Sequence, residues 1–165
     1  MKRNLSYSLL SAAILTFTSA HAVTRDITVT ASIDPTVDIT LSDSTALPDT
    51  ISMQYLPGSG LATVSKDVKL WSNSTSANLT IALASSPELS TSTTATTIPL
   101  TVKLNGTELT TTNSTLAYAT YFPNGITNGS ITVPLEISQK TKGVVSTAGE
   151  YSGTVSLVLA QATGS

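Results

Sequence analysis

VTRDITVTASIDP, residues Val23 to Pro35, decides how the rest of the chain is read. Ile27, Val29, Ala31 and Ile33 alternate with Thr28, Thr30 and Ser32, a period of two that gives one apolar and one polar face. β-Branched residues dominate, as expected of a strand. Asp34-Pro35 ends the segment, because proline cannot donate to a central ladder. Such a strand has two possible fates: it opens its own domain, or it completes the sheet of another molecule. Its residues alone leave both open.

The residues ahead of it read as a secretory signal. Lys2 and Arg3 give a positive start, Leu9 to Phe17 an apolar stretch, and Ala20-His21-Ala22 the small-x-small cleavage pattern. The apolar stretch is too short to span a bilayer. Cleavage after Ala22 removes 22 of the 165 residues and leaves 143, which suits one domain. Lys plus Arg then falls from 8 to 6 against 10 Asp plus Glu, a net charge of −4. With no basic cluster, nucleic acid is not expected as a partner.

The chain has no cysteine, although export would permit disulfides, and its one histidine, His21, lies in the signal. Thiol catalysis, histidine bases and the usual zinc ligands are therefore missing from the mature chain. No cofactor and no metal site is expected, and Glu108, Glu136 and Glu150 form no recognisable acid/base pair. Asp34, Asp38 and Asp43 lack the loop spacing of a calcium site and read as solvated charges. A small secreted domain without disulfides needs another source of stability, and oligomerisation is one.

Short alternating runs follow: Val37, Ile39, Leu41; Ile51, Met53, Tyr55; Val64 to Trp71; Leu79, Ile81, Leu83; and Ile98 to Leu104. Asn105-Gly106 is a strong hairpin signal, with Thr107 to Thr110 as the return strand. Leu116 to Phe122 reads as a further strand and Ser85 to Thr97 as a loop. Ile131 to Ile137 reads as a strand that Pro134 assigns to an edge or bulge. Trp71, the only tryptophan, reads as a core or half-buried strand residue before a sugar-stacking one. Seven or eight short strands with turns between them are the pattern of an all-β sandwich.

The last run, Tyr151 to Ala160, places Tyr151, Gly153, Val155, Leu157 and Leu159 on one parity. A Greek-key sandwich usually closes with one more strand beside this one, and the sequence offers none. A missing strand leaves an apolar groove and unpaired backbone groups, which must be covered.

The pieces AVTRDITVTASIDPTVDI and AGEYSGTVSLVLA resemble the major pilins of the alpha-clade (class 5) chaperone–usher fimbriae, which include the colonisation-factor and cable pilins. The resemblance implies an incomplete immunoglobulin-like β-sandwich lacking its final strand. It divides the chain into a signal (1–22), a donor strand (23–35) and a pilin domain (36–165). It implies a donor row of Ile27, Val29, Ala31, Ile33 and Pro35, and an acceptor groove of Tyr151, Gly153, Val155, Leu157 and Leu159. The implied partners are identical subunits, a periplasmic chaperone, an outer-membrane usher and a tip adhesin. The implied route runs through the periplasm to a surface fimbria that supports adhesion, without catalysis. The rivals are a secreted, self-complemented β-sandwich binding module and a secreted hydrolase.

Overall fold

The computed structural model describes residues 36–92 and 95–162. The signal and the whole of Val23–Pro35, with Ile27, Val29, Ala31, Ile33 and Pro35, lie outside the described residues. The domain is built around β4 (Val64–Ser72), in which Val68 and Leu70 are wholly buried. β1 (Val37–Leu41) pairs antiparallel with its C-terminal half, and β10 (Val133–Gln139) with its N-terminal half. β7 (Thr97–Leu104) and β6 (Glu88–Ser90) continue the sheet in the order β1-β4-β10-β7-β6. β8 (Thr107–Glu108) returns along β7 through the Asn105-Gly106 turn. Both turn residues adopt positive φ, 49° and 79°, which glycine and asparagine tolerate best.

The second sheet is small. β5 (Leu79–Leu83) lies between β11 (Leu157–Gln161) and β9 (Ser114–Leu116). A two-stranded hairpin, β2 (Tyr55–Leu56) with β3 (Gly60–Leu61), stands apart. The core lies between the sheets. Leu79 and Ile81 meet Val68, Leu70, Val102, Leu104 and Val133, all essentially inaccessible to solvent. β7 shows the rule that produces this: Ile98, Leu100, Val102 and Leu104 are buried, while the residues between them are exposed or half-buried.

Several expectations need correction. Pro134 does not mark an edge, because β10 is central, between β4 and β7. The Asn105 amide donates to the Pro134 carbonyl (2.8 Å), so the side of Pro134 that lacks an N–H faces the turn where the β7 ladder ends. Leu116 to Phe122 is not one strand. β9 stops at Leu116, and Tyr118–Tyr121 forms one helical turn, α1. The Asn78 side-chain oxygen accepts the Tyr118 amide at its start (2.8 Å), and the turn stacks the Tyr118 and Phe122 rings at 5.4 Å. Within Ser85–Thr97, β6 forms because β7 supplies a partner, since only Leu89 of its three residues is apolar. The last run is strand only over Leu157–Gln161, with Ser152 making an isolated bridge to Ser90.

Ser130 is the buried polar residue among the described residues. Its hydroxyl accepts the Leu70 amide (2.9 Å) and donates to the Ile131 carbonyl (2.7 Å). Trp71 is half-buried, and its indole N–H donates to the Thr40 hydroxyl (2.9 Å), tying β4 to β1.

Candidate functional site

β11 is hydrogen-bonded on one side only. Leu157 to Gln161 pair with Leu83 to Leu79, and no strand lies along the other edge among the described residues. Alternation along β11 turns Leu157 and Leu159 toward the core, where they stay half-buried, and turns Val158 outward at 49% exposure. Val155 packs against the same core just before the strand.

β1, the neighbouring outer strand of the large sheet, repeats this pattern. Val37 is buried, but Ile39 and Leu41 are only half-covered, although both touch the core. Among the described residues the outer edges of β1 and β11 are both unpaired and lie close together, and Ile39, Leu41, Val155, Leu157 and Leu159 pack half-covered against one core beside them. None of these side chains is charged. An extended strand inserted here would gain main-chain hydrogen bonds from β11 and bury alternate side chains, the mode of β-augmentation.

The five C-terminal residues singled out in the sequence divide into two groups. Val155, Leu157 and Leu159 come together beside these edges. Tyr151 and Gly153 sit beside β6, at the opposite edge of the large sheet. The Tyr151 hydroxyl donates to the Thr147 carbonyl (3.1 Å), and Ser152 exchanges backbone bonds with Ser90 (2.8 and 2.9 Å). At Gly153 a Cβ would run into the Glu88 carbonyl, so the close approach requires glycine. The chain thus changes sheets between Gly153 and Leu157.

Sequence reasoning missed the other wall, Ile39 and Leu41, and it missed Gln161. That residue shares the inward parity of Leu157 and Leu159 yet is polar, which was the available signal. Its side-chain amide donates to the Thr36 carbonyl (3.2 Å), to the Ser72 hydroxyl (3.3 Å) and to the Asn73 side-chain oxygen. All three acceptors lie at the start of β1 or the end of β4. Beyond the other end of β1, hydrogen bonds from the hydroxyl and then the amide of Thr45 hold the exposed Asp43 carboxyl below its usual value. No group of three or more His, Cys, Asp or Glu that could hold a metal occurs among the described residues.

The family model of the CS1 type fimbrial major subunit matches residues 23–160. This chain belongs to that family. It is 34% identical over 148 residues to a CFA/I fimbrial subunit of Escherichia coli O78:H11, covering 86% of each chain. It is 32% identical over 151 residues to a CS1 fimbrial subunit of Escherichia coli, covering 87% of this chain and 88% of the relative. Among solved structures, the CooA pilin subunit of enterotoxigenic Escherichia coli superimposes with a TM-score of 0.69 at 28% identity, covering 79% of this chain and 90% of that one. A chain from a chaperone–tip adhesin complex of CFA/I fimbriae biogenesis shares the fold at 13% identity, TM-score 0.53, over 78% of this chain and 43% of that one. The protein is thus a structural subunit with the immunoglobulin-like pilin fold, a component of surface fimbriae from a family not known to be enzymatic.

Proposed function

We propose that this fimbrial subunit polymerises by donating Val23–Pro35 to the open groove of the next identical subunit. The single observation that supports the reading most is the half-covered row Val155, Leu157 and Leu159, set along the unpaired edge of β11 and opposed by Ile39 and Leu41. The donor row Ile27, Val29, Ala31 and Ile33 has the alternation that such an edge accepts, and Pro35 ends it. Burying Ile27, Val29 and Ile33 is worth about 1.5–3 kcal/mol each, on the order of 5–9 kcal/mol together, before the cost of association. The family match begins at Val23, which agrees with removal of residues 1–22 as a signal.

A groove left open during export would aggregate, so a periplasmic chaperone covers it with a strand of its own. An outer-membrane usher then exchanges that strand for the next subunit's segment, and a tip adhesin caps the fibre. Tyr151 and Gly153 contribute by seating the chain against β6 before it crosses to the groove.

Deleting Val23 to Ile33 tests the reading. Polymerisation stops while chaperone capture persists, because the groove itself is untouched. Full-length fibres assembled from the deleted subunit would refute it.

A further inference from the structure

Three asparagines in the chain precede a glycine: Asn105, Asn124 and Asn128. In an Asn-Gly pair the backbone nitrogen of the glycine can attack the asparagine side chain, because no Cβ stands beside that nitrogen to hinder it. Whether it does so depends on how firmly the peptide unit is held. The Gly125 amide donates to the Phe122 carbonyl (3.1 Å), and the Gly129 amide to the Ile126 carbonyl (3.0 Å). Gly129 is also buried, with the Trp71 ring 3.2 Å from where its Cβ would stand. The Asn128 carbonyl accepts a hydrogen bond from the Lys69 ammonium (3.3 Å). At both of these pairs the attacking nitrogen is already engaged.

Asn105-Gly106 differs on each count. Neither the Gly106 amide nor the Asn105 side chain makes a hydrogen bond among the described residues. Residues 105–108 are all exposed, and beyond the chain neighbours no atom lies within 4 Å of where a Gly106 Cβ would stand. The Asn105 amide is anchored to the Pro134 carbonyl (2.8 Å), but the next peptide unit is free. The far side of the turn is held only by the two-residue strand β8, paired to Lys103 and Leu104. So short and exposed a pairing opens locally, without disturbing the core.

We infer that Asn105-Gly106 is a self-modification site, at which the Gly106 backbone nitrogen attacks the side-chain carbonyl carbon of Asn105. Hydroxide takes the proton from that nitrogen, the new C–N bond closes a cyclic succinimide, and the side-chain nitrogen leaves as ammonia. Water then opens the ring. Opening at the side-chain carbonyl leaves an aspartyl residue; opening at the main-chain carbonyl routes the backbone through the side chain and leaves an isoaspartyl residue. In sum, asparagine and water give a carboxylate and ammonia, with no oxidation or reduction. Either product adds a negative charge to the turn. The isoaspartyl form also lengthens a turn that joins Leu104 to Thr107 through only two residues. That strains the seat of Leu109, which is buried just past β8 and donates its amide to the Val102 carbonyl (2.8 Å). The site is independent of how subunits join.

The full-length exported protein is held in mildly alkaline buffer, native in one series and in denaturant in another, and sampled over time. Peptide mapping by mass spectrometry reads the exchange of amide for carboxyl at each Asn-Gly pair, and chromatography separates aspartyl from isoaspartyl peptides. In denaturant the three pairs convert at like rates, because each is the same dipeptide. In the native protein Asn105 converts roughly 2- to 10-fold faster than Asn124 or Asn128, the equivalent of the net hydrogen bond that the Gly125 and Gly129 amides must first give up. Asn105→Gly keeps a residue at ease with positive φ and removes the carbonyl under attack, so the first acidic species seen on isoelectric focusing disappears. Native conversion at Asn105 no faster than at the other two pairs would overturn the inference. So would an unchanged acidic species in Asn105→Gly.

Discussion

Truncating Leu159 to alanine separates the stability of the subunit from the strength of the joint between subunits. In the isolated subunit Leu159 is already half-buried against the core, so its loss removes only part of the usual contribution. Full truncation of a buried leucine costs about 2–5 kcal/mol. With part of that surface already wet, about 1 kcal/mol falls on the isolated fold. The remainder, about 1–4 kcal/mol, appears only once a strand covers the groove, and weakens the joint by roughly 5-fold to nearly 1,000-fold. Ile81→Ala serves as the reference, because Ile81 is wholly buried on the facing strand β5 and is covered whether or not the groove is filled. Fibres are titrated with denaturant, following the release of subunits by sedimentation. Unfolding of the released subunits is followed by the fluorescence of Trp71, the only tryptophan, whose indole is bonded to the groove wall at Thr40. Leu159→Ala shifts subunit release more than subunit unfolding, whereas Ile81→Ala chiefly lowers unfolding. Equal shifts of release and unfolding for Leu159→Ala would mean that the groove is not where subunits join.

Gly153→Ala forces its new methyl group into the Glu88 carbonyl and breaks the Ser90–Ser152 exchange, a loss of about 1–3 kcal/mol, visible as faster hydrogen exchange at the Ser90 and Ser152 amides. Ser130→Ala leaves the buried Leu70 amide without its hydroxyl acceptor and lowers the unfolding midpoint by the equivalent of about 1–3 kcal/mol. Asp43 is held below its usual value by Thr45, so its small contribution is present above the unfolded-state pKa and is lost as pH falls through the folded one. Thr45→Val therefore raises the Asp43 pKa, which an NMR titration of that carboxyl follows directly.

The sequence reports structure through local rules. Alternation of Ile98, Leu100, Val102 and Leu104, and the Asn105-Gly106 turn, report strand and hairpin because side-chain parity and φ preference are properties of neighbouring residues. Pro134 misled for the same reason. A proline says that one N–H is missing, and only the end point of β7 decides that no partner was waiting for it. β6 was invisible because its pairing comes from β7 and not from its own composition. In Leu116 to Phe122, alternation and a helical turn both bury aromatic residues, and the contact from Asn78 chooses between them.

By itself the sequence determined that the chain is all-β, free of cysteine, and ended by a strand with one apolar face, since composition and parity need no partner to be expressed. Only the tertiary structure decided that Val155, Leu157 and Leu159 share one half-covered core with Ile39 and Leu41, that Tyr151 and Gly153 belong to the far edge, and that Gln161 reaches across to Thr36. These are relations between residues more than a hundred positions apart in several cases. They arise from which sheet edges are left unpaired when the core closes, a result of the whole packing that no short stretch of chain encodes.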